Sequence, residues 1–210
     1  MVTALSTSLE RSIQDRQLLR HPFYQRWEAG EISRDELRRY AEQYRYFETM
    51  LPSFLAELAA LLPEGFVRDC VLKNLADEVA TPTHLELFER FARFYGAGDA
   101  PASPAMRRLV ESYTEVLADG AAAALAGLWA YESQGARIAD TKGDGLVHFY
   151  GAQSDATDFW SVHGSLEGDH AAWTLEALES LDPGVDVASA ARRIADAWWA
   201  FLDERESVAA

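Results

Sequence analysis

The sequence predicts an all-α protein, on three observations. Apolar residues recur at helical spacing from end to end. No stretch alternates apolar and polar residues over a strand's length. The breaks between periodic segments carry residues that stop or start helices. The first helix is expected over about residues 6 to 19, ending before His21-Pro22, because a residue that precedes proline is pushed out of the α region. FYQRWEAG then reads as a short turn. Ser33 and Glu36 form a capping box that opens a long helix to about Leu62-Pro63, with Pro52 predicting a kink or a break near Met50 and Leu51. A third helix is expected over 65 to 78, and a fourth over 82 to 95, closed by Gly96. GAGDAPASP reads as a surface loop. A fifth helix covers 104 to 118, Gly120 breaks it, and a sixth runs from 121 to about 141, where GDG marks an end. A short helical piece over 145 to 151 precedes a helix over 155 to 181. LDPGVD is a turn, and an amphipathic helix over 187 to 205 follows.

The 210 residues contain no linker-like segment, internal repeat or low-complexity tract beyond an alanine run, so a single domain over 1–210 is expected. With 49% hydrophobic residues, including six Trp, eight Tyr and ten Phe, the chain can bury a sizeable core. A net charge of -15 would repel phosphate backbones and anionic lipid surfaces, leaving small molecules as the expected partners. The first twenty residues have no basic start followed by an apolar block, and no apolar run is long enough to span a bilayer. The expected location is therefore the cytoplasm. One cysteine, Cys70, excludes an internal disulfide and a thiolate metal cluster. Its setting, VRDCVLKNL, reads as a helix with Cys70 as a small apolar filler.

HGSLEGDH places His163, Glu167 and His170 in an H-x-x-x-E-x-x-H pattern. Helical steps of four and three bring the three side chains within about 40° of one another. Imidazoles with a carboxylate suit iron, manganese or zinc, and the pattern contains the E-x-x-H pair that di-iron carboxylate bundles use. A polar face on a surface helix would also produce this spacing, but the flanking Phe159, Trp160 and Trp173 argue for burial. The other ligands have candidates. Glu78 and His84 lie six apart, about 120° on an unbroken helix, and Pro82 interrupts the segment so that one residue can end a helix and the other begin the next. Asp77 competes with Glu78, and geometry alone leaves that choice open. Glu132 sits amid the apolar helix GLWAYESQGARIA. An unpaired buried carboxylate is unfavourable there, and Arg137, five residues on, is poorly placed to pair with it. Asp169, within HGSLEGDH, is a further acidic neighbour.

These residues resemble the haem-oxygenase-like di-metal oxidases, closest to the branch named for the chlamydial protein associating with death domains. The resemblance covers about residues 20 to 175. It implies a haem-oxygenase-like, TenA-type bundle of about seven to eight helices. It also implies two metal ions, Fe/Fe or Mn/Fe, held by Glu78 of the DE pair, His84, Glu132 of YESQ, His163, Glu167 and His170, so that Glu78 is chosen over Asp77. Two departures are visible: the family pattern has one more residue between the acidic pair and its histidine, and an aspartate where Glu167 stands.

The branch is associated with making para-aminobenzoate, a folate precursor, by consuming one of its own tyrosines with O₂ and an external reductant. HPFYQRWEAGE puts Tyr24 at the consumed position, Tyr40 in RRYAEQY matches a second tyrosine of the site, and Lys142 falls at the amine-donor position. Composition sharpens the lysine match. Of 19 lysines and arginines only Lys73 and Lys142 are lysine, and arginine cannot serve as a nitrogen donor. No external organic substrate is then required. Two alternatives stand beside this expectation: a di-iron oxidase acting on an external amino acid or fatty acid, and a metal-free interaction protein. A homodimer is the expected assembly.

Overall fold

The computed structural model describes residues 3–181 and 186–207. Among them lie nine α-helices, two 3₁₀ turns and no strand. The helices are α1 (Ala4–Ser12), α2 (Pro22–Glu28), α3 (Arg34–Leu61), α4 (Phe66–Glu78), α5 (His84–Tyr95), α6 (Pro104–Ala118), α7 (Ala121–His148), α8 (Ser154–Ser180) and α9 (Val187–Ser207). Local chemistry accounts for most starts. Ser33 with Glu36, and Thr83 with Glu86, form reciprocal capping boxes for α3 and α5, while Ser103 caps α6 just before Pro104. Gly96 ends α5 at φ 78°, a left-handed conformation that other residues adopt at a penalty.

The sequence reading differs from the structure in four places. The first helix stops at Ser12, and two 3₁₀ turns carry the chain to Arg20, because tertiary contacts claim this stretch: Leu18 N donates to Gln134 Oε1 at 2.7 Å, and Arg16 pairs with Asp196 at 2.7 Å. PFYQRWE is a helix rather than a turn. Its first turn is capped by His21, whose Nδ1 accepts from Phe23 N at 3.1 Å. Pro52 does not break α3, since Leu51, Phe54 and Leu55 hold the flanking turns against the core. GDG does not end α7 either: a side chain at Gly145 would come within 2.9 Å of the Trp27 ring, so this glycine admits a neighbouring helix instead of stopping its own. The short piece expected over 145 to 151 is largely absorbed into α7. The LDPGVD turn lies mostly outside the described residues.

Helix α7 is the axis of the bundle. Ala123 to Glu132 are all buried, as expected of a helix apolar on every side, and α3, α6, α8 and α9 pack around it. Buried apolar residues from α1 to α9 form one continuous cluster. No helix of the described residues is long and apolar enough to cross a membrane.

Candidate metal centre

Glu78 is the last residue of α4 and His84 the first of α5, so the chain turns between them where Pro82 interrupts it. Glu132 comes from α7, and His163, Glu167 and His170 from α8. All six are buried, none more than 6% exposed. Their ligand atoms gather in two groups, Glu78 with His84 and His163, and Glu132 with Glu167 and His170, and within each group these atoms lie within 4.8 Å of one another. The His84 and His163 rings are 4.4 Å apart, and Glu167 Oε1 reaches to 3.8 Å from His163 Nε2, which joins the groups.

Hydrogen bonds orient these side chains. His163 Nδ1 donates to Phe159 O at 2.9 Å, leaving Nε2 to face the group. His170 Nε2 lies 3.1 Å from Asp77 Oδ2, leaving its Nδ1. Asp77 therefore orients His170, while its neighbour Glu78 enters the first group. Glu132 accepts from Thr174 Oγ1 at 2.7 Å and from Asn74 Nδ2. Asp169 is exposed and belongs to neither group.

The donor set fits metal ions. Glu167 Oε2 is buried without a hydrogen-bond partner. His84 Nδ1 approaches Glu78 Oε2 to 2.9 Å, yet the two are out of line for a hydrogen bond, as when both aim at a common point. Burial pushes Glu132 up to about 8 against its hydrogen bonds to Thr174 and Asn74. Burial, reinforced by Glu132 and Glu78, holds Glu167 well above the usual carboxylate range. Glu78 moves the other way: burial raises it, but His84 and the neighbouring imidazoles outweigh that and lower it. Burial lowers His163 to about 4, so its ring is neutral near pH 7 and available as a ligand. Buried carboxylates clustered beside imidazoles are a donor set that a cation would satisfy.

A second chamber lies farther along α7. Lys142 is 1% exposed; its Nζ donates to Tyr40 Oη at 2.5 Å and sits 4.4 Å from the centres of both the Tyr24 and Trp160 rings. Tyr24 and Tyr40 join their hydroxyls at 3.1 Å. Burial drives Lys142 well below the usual lysine value, with Glu48 opposing, and burial raises both tyrosines. Tyr40 stacks on Tyr44, whose hydroxyl pairs with that of Tyr131, the residue before Glu132.

The sequence reading missed Glu48, Tyr44 and Tyr131. Glu48 is 2% exposed, with Oε2 unpartnered, and is raised well above the carboxylate range by burial and by Glu78. Its signal was present: Tyr40, Tyr44 and Glu48 repeat every four residues on the inward face of α3. A cavity of about 380 Å³ opens beside the first ligand group, bounded by Asp77, His84, Leu87, Arg90, Val162 and Leu166.

The model of a family described as iron-containing redox enzymes matches residues 38–203. The chain is 37% identical over 212 residues to a 4-aminobenzoate synthase of Nitrosomonas europaea, covering 91% of this chain and 86% of the relative. It is 28% identical over 205 residues to a 4-aminobenzoate synthase of Chlamydia pneumoniae, covering 92% and 91%. Among solved structures, a TenA homologue from Pseudomonas syringae superposes with a TM-score of 0.81 at 14% identity over 97% of this chain and 93% of that one. A CADD-like protein of unknown function from Nostoc punctiforme gives 0.75 at 17% identity over 96% and 98%.

Proposed function

Since the chain belongs to the family of iron-containing redox enzymes, we propose that it is an oxygen-dependent oxidoreductase that makes 4-aminobenzoate from its own Tyr24, with Lys142 as amino donor. The observation that carries this reading is the setting of Lys142. A buried lysine bonded to no carboxylate is unfavourable for folding, so its retention against the Tyr24 ring calls for a chemical role. The names of the relatives from Nitrosomonas and Chlamydia agree with this product.

In this proposal Glu78, His84 and His163 hold one metal ion, and Glu132, Glu167 and His170 the other, as Fe/Fe or Mn/Fe. When bound, the pair supplies activation of O₂ with electrons from an external reductant. Everything else falls to the chain itself. Burial favours the uncharged form of Lys142, in which the nitrogen lone pair is available, and the bond to Tyr40 fixes its position over Tyr24. Tyr40 also bonds the Tyr24 phenol, which burial keeps protonated. Glu132 and Lys142 lie ten residues apart on α7, about 15 Å along its axis and about 80° around it. Tyr131, Tyr44 and Tyr40 bridge that span by a hydroxyl pair and a stacked pair, a route for electrons and protons. Trp27, Trp160 and Phe23 exclude water from the chamber. Product release requires cleavage of the Tyr24 Cα–Cβ bond with oxidation of Cβ to the product carboxylate at the expense of O₂, and replacement of the phenol oxygen by the Lys142 nitrogen with cleavage of its Cε–Nζ bond, so each chain reacts once.

Tyr24→Phe is expected to bind metal as the unmodified protein does and to yield no product, while the unmodified protein loses mass at Tyr24 on reaction with iron, manganese, reductant and O₂. Normal product yield from the Phe variant, or several equivalents per chain with Tyr24 intact, overturns the reading. The cavity beside His84 favours a second one, an oxidase of an external amino acid or fatty acid. Multiple turnovers would support it.

A further inference from the structure

Gly135 lies in the interior of α7, is buried, and has ordinary helical backbone geometry, so nothing in its own conformation calls for glycine. Glycine is unfavourable there relative to alanine, which implies a reason in the packing. A Cβ at this position would stand 2.6 Å from Glu167 Oε2, 2.8 Å from Cδ and 2.9 Å from Cγ. Those separations are well inside van der Waals contact, at roughly 3.5–4.0 Å. The clash involves the side chain as far back as Cγ, so a swing of the carboxylate tip does not relieve it. Glu167 is 4% exposed and packed between helices, with little room to retreat. Gly135 also follows Glu132 by three residues on one helical face, so the space it leaves open belongs to the Glu132, Glu167 and His170 group.

The other helical glycines differ. A side chain at Gly127 would meet Ile194 and Val116, and one at Gly145 would meet Trp27, which are matters of core packing. Among the described glycines, Gly135 alone confronts a member of either ligand group.

We propose that Gly135 is a positioning residue for Glu167: the side chain it lacks is the space the Glu167 carboxylate occupies, so the two form a matched pair that sets the reach of this ligand into its group. The inference rests on the metal reading for its functional meaning, while the steric pairing stands without metal. Aspartate at 167 draws the carboxylate back by one methylene and frees the space that a side chain at 135 would fill.

The test is a cycle of four proteins: unmodified, G135A, E167D and G135A/E167D. Each is measured for the melting temperature of the metal-free form and for affinity in anaerobic Fe(II) titration. In an unobstructed helix Gly→Ala raises the melting temperature. Here G135A is expected to lower it and to weaken binding of one of the two Fe(II) ions by about 10- to 100-fold, the scale of a disturbed ligand support. In the E167D background the same change is expected to leave the melting temperature at or above that of E167D alone and the Fe(II) affinity within about 2-fold of it, as coupled neighbours require. A G135A protein that melts at or above the unmodified temperature and binds Fe(II) normally overturns the pairing. So does a penalty that persists undiminished beside E167D. If G135A does not fold, a folded G135A/E167D supports the pairing and an unfolded one overturns it. Failure of the unmodified protein to bind Fe(II) would overturn the metal reading alone, because the metal-free melting cycle still decides the pairing.

Discussion

Lys142 and Glu132 are both buried ionisable residues on α7, and burial shifts them in opposite directions with opposite consequences for stability. Folded Lys142 releases its proton far below the unfolded value of about 10.4. Between those two values the unfolded chain binds the additional proton, so this residue makes stability rise with pH. Lys142→Met is expected to remove that slope, to raise the melting temperature of the metal-free protein near pH 7 by roughly 2–4 °C per kcal/mol relieved, and to abolish product. Thermal melts across pH 6–9 check it. Glu132 has the reverse sign. Its folded value is about 8, against about 4.3 unfolded. The folded chain therefore holds the additional proton in that interval, and stability falls as pH rises through it, levelling off above pH 8. Glu132→Gln in the metal-free protein is expected to flatten this part of the profile while removing a proposed metal ligand, so that the melting temperature at pH 8 rises and Fe(II) uptake falls. A profile unchanged by the substitution would contradict the assignment.

At the scale of elements, the site depends on where helices begin and end. Glu78 and His84 meet because α4 stops and α5 starts within five intervening residues. Thr83 fixes the second of these events: its hydroxyl accepts from Glu86 N at 3.1 Å, and Glu86 Oε2 accepts from Thr83 N at 2.8 Å. Thr83→Ala is expected to reduce stability by about 0.5–2 kcal/mol, typical of a lost N-cap, and to weaken metal binding by loosening the His84 backbone. Denaturant titration with and without Fe(II) would measure both, and a stability loss unaccompanied by weaker binding would separate the cap from the site. The capping box at Ser33 was legible because its chemistry is local. Pro52 and the GDG of α7 misled for the same reason: their local preference is outweighed by packing on Leu51, Phe54 and Leu55 in one case, and by the close approach of Trp27 in the other.

For the whole molecule, the two ligand groups draw on α4, α5, α7 and α8, so metal ions would tie four helices together. Ions that bind only the folded chain stabilise it by about 2.7 kcal/mol per site at a hundredfold excess over Kd. Two sites then correspond to a rise in melting temperature of roughly 10–20 °C for a chain of this size. Chelation should reverse that rise, and scanning calorimetry with and without chelator tests it. The H-x-x-x-E-x-x-H pattern, the interruption at Pro82, the isolated Glu132 and the scarcity of lysine were all visible in the chain alone. They are matters of residue type and spacing along single helices. The sequence also determined the all-α class, through unbroken helical periodicity and the absence of alternation. It left Asp77 and Glu78 as alternatives on geometry and was silent on Glu48, Tyr44, Tyr131 and Gly135. Those roles exist only across helices. Asp77 reaches His170 ninety-three positions away, Tyr131 meets Tyr44 from another helix, and Gly135 matters because of an atom on α8. Spacing along a helix fixes which way a side chain faces, and only the packing of helices decides what it meets.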